Sequence, residues 1–190
     1  MGIEIRRALF HILLGIAIIC LAYLVDEARW VLFIILVFGM LLSLLSLKFK
    51  LPIISWFLEK FEKPFYLKKF PGKGILFFTA GCLIVLKLFS LKIALASIAI
   101  LTFGDSISHL IGIIGKRKNF LDPTKNAEGT IAGILSATIF ASFFVPLLYA
   151  FIASAVAMIA ETISFKLEGD NVDDNLIIPL VAGTILYLLI

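Results

Sequence analysis

Apolar runs recur along the whole chain, and most charged residues are confined to the short joints between them. Seven runs can be drawn, at roughly 7–25, 30–47, 74–89, 93–115, 129–145, 147–165 and 175–190. A chain of 190 residues that is 62% hydrophobic and 16% charged has no soluble core large enough to hide this surface. The pattern predicts an all-α, polytopic integral membrane helical bundle of about seven transmembrane segments. Several runs are shorter than the roughly 20 residues that cross hydrocarbon upright, so one or two are candidates for half-spans or re-entrant segments. No Ser- or Pro-rich linker divides the sequence, and residues 1–190 read as one membrane-embedded domain. The first run starts with basic residues and has no small-residue cleavage site, which predicts a retained span rather than a signal peptide.

Charge orients the bundle. Of the 17 Lys and Arg residues, only Arg29, Lys87 and Lys92 fall outside when seven spans start from a cytoplasmic N-terminus. This bias follows the positive-inside rule and predicts that the N-terminus and the polar joints face the cytoplasm. The net charge of +4 then reflects topology and anionic headgroups, not a nucleic-acid partner. Cys20 and Cys82 lie inside runs, without metal-type spacing, and read as small apolar fillers. In the polar stretch 48–73, Ile53, Ile54, Trp56, Phe57, Lys60, Phe61 and Lys63 predict a short amphipathic helix in the interface, interrupted by Pro64 and Pro71. Such a helix braces the bundle or, alternatively, guides a lipid alcohol sideways towards a site.

Three polar constellations break the apolar pattern. The first is 104–133. If 93–115 is helical, Asp105, Ser108, Gly112 and Gly115 share one face with His109 beside it, and that face leads to Lys116, Arg117 and Lys118. Lys125 and Glu128 follow after a short loop. A carboxylate, bare backbone and cations together are what a magnesium–polyphosphate ligand needs. Asp105 lies about 15 Å from the basic end by helical rise, where an unpaired charge costs several kcal/mol. Plainer readings stand beside this one: a helix-to-helix hydrogen bond for Asp105, and a helix-start cap for Asn126 with Glu128 in the first turn. Gly129 and Gly133 likewise form a small-xxx-small packing face. The second constellation is Arg6, Arg7 and His11, where the arginines double as a positive-inside anchor. The third is Glu161 with the loop 166–175, in which Glu168 and Asp170 read as a solvated turn. Asp173, Asp174 and Asn175 offer oxygen ligands that suit magnesium. All three constellations are expected on one side of the membrane.

The segment from Asp105 to Gly129 resembles the CTP-binding signature of the polyprenol kinase family: dolichol kinase, phytol kinase and the CTP-dependent diacylglycerol kinases. Asp105, Gly112, Lys125, Glu128 and Gly129 fall on that signature. Ser108 stands in place of an Ala, the second Gly comes one residue early at Gly115, and Thr124 and Asn126 replace a Lys and a Thr. The opening Arg6-Arg7-Ala-Leu-Phe-His11, the late Glu161 and the stretch 173–179 also resemble this family. The resemblance implies transfer of the γ-phosphate of CTP, with Mg²⁺, to the hydroxyl of a lipid alcohol within membrane lipids. It implies metal ligation by Asp105, Asp173 and Asp174, and catalysis by Asp105, Lys125, Glu128 and Glu161. Nucleotide contacts would come from Arg7, His11, Ser108, His109, Gly112, Gly115, Lys116, Arg117, Gly129 and Asn175. A homo-oligomer is compatible with this reading. A membrane CTP:lipid cytidylyltransferase is the enzymatic alternative, but the glycine/histidine and Asp-Arg signature of that family is not seen. A small transporter is the non-enzymatic one; it would need an inverted repeat or polar groups in both membrane halves, and neither is evident.

Overall fold

The chain, seen as a computed structural model, is described at residues 2–62, 64–163, 166–167 and 170–190, with 166, 167, 170 and 171 described by backbone alone. Lys63 and Glu168 thus lie outside the described residues, as do the side chains of Lys166 and Asp170.

Among the described residues, each of the seven apolar runs contributes a helix. They are α1 (Gly2–Leu24), α2 (Ala28–Lys48), α5 (Lys73–Leu88), the continuous helix Leu91–Ile114, α8 (Ala127–Ala141), α9 (Leu147–Thr162) and α10 (Asp174–Leu189). Between α2 and α5 lie two shorter helices, α3 (Pro52–Phe61) and α4 (Pro64–Lys69). Their positions follow from proline chemistry. Pro52 opens α3, where its missing N–H costs nothing, and Pro64 opens α4. Pro71 leads into Gly72, whose φ of 77° starts α5 and is open to glycine without strain. The Phe57 and Phe61 rings of α3 pack on Phe10 of α1 at 5.2 and 5.3 Å, while Lys60 covers Trp56 on the outer side. Strand structure among the described residues is confined to the two-residue pair of Lys166–Leu167 with Asp170–Asn171 and an isolated bridge between Lys118 and Asn126.

The helix Leu91–Ile114 is the centre of the bundle. It comprises α6 (Leu91–Ala99), a π-helical turn (Ile100–Asp105) and α7 (Ser106–Ile114). Around it stand α1, α8, α9 and α10, with α5 against α6 and α10. The core is built largely from small side chains: Ala94, Ala96, Ala137, Ala150, Ala153 and Ala182 are fully buried, with Phe78, Ile98 and Leu101 filling between them. Small residues let helix axes approach closely, which matters where dispersion rather than water exclusion holds helices together. Gly129 and Gly133 of α8 carry this furthest. A Cβ on Gly129 would sit 2.6 Å from the Ser108 carbonyl oxygen, and one on Gly133 would sit 2.8 Å from Ser108 Cβ and from Met158 Cε. The expected small-xxx-small face is therefore a seam between α8 and α7.

Four hydroxyls inside the bundle are satisfied locally. Ser97, Thr102, Thr138 and Thr162 each donate to the carbonyl four residues earlier, at 2.7 to 2.9 Å. Pro179 lies inside α10 and cannot donate to the Asn175 carbonyl. That carbonyl faces Gly81 of α5, where a Cβ would come to 2.1 Å. The exterior shows the opposite chemistry. Trp30, Phe33, Ile34 and Phe38 of α2, Leu13 of α1 and Phe143 beyond α8 are exposed. Three helices, Gly2–Leu24, Ala28–Lys48 and Leu91–Ile114, are long and apolar enough to cross a membrane.

Candidate functional site

Side-chain contacts draw the polar residues of distant segments to one end of the bundle. The start of α1 meets the end of α7, where His109 Nε2 lies 2.7 Å from Glu4 Oε2. The loop after α7 meets the end of α9 through Lys125, whose ammonium donates to the Glu161 carboxylate at 2.6 Å and to its backbone carbonyl at 2.5 Å. The same ammonium lies 3.8 Å from Asp174 at the start of α10. Between these contacts is a cavity of about 490 Å³. Of the residues expected at a site, Arg7, His11, Asp105, Ser108, His109, Gly112, Lys125, Glu161 and Asp174 line it.

Local structure explains the placement. The π-turn ends at Asp105, and the α-helical stretch that follows sets Asp105, Ser108, His109 and Gly112 on the cavity side. A Cβ on Gly112 would meet nothing within 4 Å, so bare backbone faces open space there. Asp105 itself belongs to the central apolar helix, where a carboxylate needs a charge partner or a ligand. The loop from Gly115 to Asn126 brings Thr124, Lys125 and Asn126 to the cavity wall. Asn119 N donates to the Lys125 carbonyl at 3.0 Å and Ala127 N to the Arg117 carbonyl at 2.9 Å. Asp122 Oδ1 accepts from the hydroxyl and the N–H of Thr124 at 2.7 and 2.8 Å, and these bonds hold its carboxyl below the usual range. Burial alone would lower the Lys125 pKa, but Glu161 and Asp174 outweigh this and hold the ammonium above its ordinary value.

Several expected site residues stand elsewhere. Gly115 ends α7 in extended backbone, packed by Asn126 and Glu128, and so leaves the face shared by Asp105 and Gly112. Glu128 folds back over that turn: its Oε1 accepts the N–H of Lys116 at 3.2 Å and both oxygens accept that of Arg117 at 3.1 Å. Its own backbone N–H and these two keep its carboxyl below the usual range. Lys116 and Arg117 therefore act here through backbone, and neither side chain lines the cavity. Asn126 does not cap α8 with its side chain. Its amide donates to the Gly112 carbonyl at 2.6 Å and the Gly115 carbonyl at 3.2 Å, closing the end of α7 instead. Gly129 faces the α7 backbone, not the cavity. At α10 the cap is Asp173, whose Oδ1 accepts from the backbone and side chain of Asn175 at 3.2 and 2.8 Å. The other Asp173 oxygen lies 3.3 Å from Lys73. Asp173 is thus committed to α5, and Asn175 is buried beneath it.

Four cavity residues carried no sequence signal strong enough to single them out as site residues: Ser106, Thr124, Asn126 and Thr130. Glu4, which reaches the site through His109 and lies 3.2 Å from Arg7, carried none either. Among the described residues, no group of three or more His, Cys, Asp and Glu is gathered tightly enough to hold a metal ion, and Lys125 fills the space between Glu161 and Asp174. Three buried oxygens on the cavity wall, Ser106 Oγ, Asn126 Oδ1 and Glu161 Oε2, have no protein partner. An orphaned carboxylate oxygen is costly unless a ligand or water completes it.

Fold and site together define a class: an α-helical bundle with an apolar exterior and one polar, mixed-charge cavity at its end. No protein-family model matches the chain, and no solved structure matches it. The chain is similar to the "Uncharacterized protein MJ1137" of Methanocaldococcus jannaschii, at 30% identity over 186 residues that cover 96% of this chain and 92% of that protein. At that identity and coverage, the chain belongs to the same family.

Proposed function

We propose that the protein is an integral membrane lipid kinase that transfers the γ-phosphate of CTP to the hydroxyl of a polyprenol-type alcohol at the cytoplasmic face. The observation that carries this reading is the convergence at one cavity. Asp105, Gly112 and Lys125 of the kinase-like signature, with Ser108 and His109 from the same segment, meet Arg7, His11, Glu161 and Asp174 from both ends of the chain. Phosphoryl transfer asks a protein mainly for such positioning, with cations around the phosphate oxygens. Arg7 and Lys125 supply cations in the wall, and the bare backbone at Gly112 lets a phosphate approach.

The cavity carboxylates are not gathered into a metal site by themselves, but Mg²⁺ is a hard ion that binds one or two carboxylates and takes water and phosphate oxygens as its other ligands, so it would arrive with the nucleotide. One or two of Asp105, Asp174 and Glu161 would supply those carboxylates, while Asp173 stays with Lys73. When bound, the ion supplies neutralisation of the phosphate oxygens. Lys125 then has two sets of partners, its present carboxylates and the incoming phosphate, and its exchange between them would couple nucleotide binding to opening of the acidic wall.

Membrane embedding with about seven crossing segments is part of the proposal. The exposed apolar surface supports it, as does the position of Arg7 and Lys125 in the cavity wall and of Lys73 beside Asp173. A lipid alcohol places its hydroxyl at the interface while its chain stays in hydrocarbon, which suits a cavity at the end of a bundle. The experiment is purified protein with γ-labelled CTP and a panel of polyprenols, geranylgeraniol, phytol and diacylglycerol. Label in lipid with release of CDP is the expected result. Label arriving only from α-labelled CTP, with pyrophosphate released, moves the protein to the cytidylyltransferases.

A further inference from the structure

Transfer to an alcohol needs an acceptor for the hydroxyl proton. The two acids that the sequence offers for this task are engaged. Glu128 is occupied by the N–H groups of Lys116 and Arg117, and Glu161 is bound to the Lys125 ammonium. His11 is buried with its ring 5.1 Å from Phe78, on the wall away from solvent. His109 differs from all three. It lines the same cavity, its side chain is 42% exposed, and its Nε2 is held at 2.7 Å by Glu4. Arg7 holds the same Glu4 oxygen at 3.2 Å.

We propose that Glu4 and His109 form the proton-accepting dyad of this site, with His109 as the catalytic base and Glu4 as the residue that positions it. The proposal rests on the lipid-kinase reading above. A neutral imidazole that donates Nε2–H to a carboxylate presents Nδ1 as its acceptor, and the carboxylate fixes that tautomer. As the alcohol oxygen bonds to the γ-phosphorus, its proton passes to Nδ1. The bond from the γ-phosphorus to the bridging oxygen breaks, and CDP leaves with the bonding electrons. The imidazolium is held beside the Glu4 carboxylate until it returns its proton to solvent. Imidazole is the side chain best suited to take up and release a proton near neutral pH.

The contact also joins α1 to α7, so the test must separate chemistry from a clamp. Turnover of the wild-type protein in detergent is established first with γ-labelled CTP and the alcohol it accepts. Absence of transfer to any alcohol overturns the kinase reading and the dyad together. With transfer present, His109→Gln is expected to lower kcat by about a hundredfold or more, while KM for CTP and the melting temperature stay close to wild type. Glu4→Gln is expected to lower kcat by about tenfold, and added imidazole should restore part of the turnover of His109→Ala. A His109→Gln protein that is folded and keeps a third or more of wild-type kcat overturns the dyad and leaves the kinase reading standing. If His109→Gln does not fold, Glu4→Gln decides: unchanged kcat, or loss explained wholly by a lower melting temperature, overturns the dyad.

Discussion

The helix α2 and the central helix Leu91–Ile114 are opposites. The α2 helix has the higher mean hydropathy, 2.7 against 1.6, yet only 11% of its apolar window is buried inside the bundle, against 50% for the central helix. A protein folding in water would place them the other way round, because burial would follow hydrophobicity. Here the interior takes the small and polar residues, such as Ala94, Ser97, Thr102 and Ser106, and the surface takes Phe33, Ile34 and Phe38. That sorting supports the membrane reading proposed above, because in an apolar solvent large side chains would lose little by facing lipid, while close packing and hydrogen bonds would be found only inside.

The largest effect is expected where the interior is tightest. A Cβ at Gly133 would lie 2.8 Å from Ser108 Cβ and 2.9 Å from the Gly104 carbonyl, which is backbone and cannot yield. Gly133→Val should leave no folded protein on gel filtration in detergent. A monodisperse variant with a normal melting temperature would show that the α8–α7 seam is not as close as described.

Asp105→Asn probes the polar end of the central helix. It keeps shape and hydrogen bonding and removes the charge. Turnover should fall by on the order of a hundredfold while the fold persists, with partial recovery at higher Mg²⁺. Stability without nucleotide should hold or rise, since a charge has left an apolar helix. Retained turnover would make Asp105 a structural residue.

Ile34→Lys tests the other side of the comparison. Ile34 is 65% exposed, about one turn from the middle of α2. If that surface meets hydrocarbon, membrane insertion should become about 3 kcal/mol less favourable, read as a lower inserted fraction. Insertion equal to wild type would mean that the face meets water or another protein.

The smallest structural effect is expected at Gly112, whose Cβ would project into open space. Gly112→Ala should leave the unfolding free energy within about 0.5 kcal/mol of wild type, in contrast with Gly133→Val. Its consequence should fall on the nucleotide, as a raised KM for CTP. An unchanged KM would separate Gly112 from the phosphate path.

Much of the helical layout was legible from residues alone. Uninterrupted apolar runs become helices because each backbone group can then be paired within its own segment, and the prolines at 52 and 64 mark starts for the same local reason. The alignment of Asp105, Ser108, His109 and Gly112 followed from helical periodicity over less than three turns, and the packing role of Gly129 and Gly133 from their spacing. These are short-range rules that need no knowledge of partners.

Tertiary structure decided which polar groups are left for a ligand. Glu128 and Asn126 looked like a helix start, yet their side chains close the end of the preceding helix, because the loop turns back and brings its bare N–H and C=O groups within reach. Asp173 and Asp174 are neighbours in sequence, but the first turn of α10 sends one to Lys73 and the other towards Lys125. Glu4 carried no signal, since its partner lies 105 residues away and only the packing of α1 on α7 brings them together. The sequence alone therefore determined the helices and the chemical inventory of one end of the bundle. Which of those groups pair with each other, and which remain open, depends on distances between helices that no local pattern encodes.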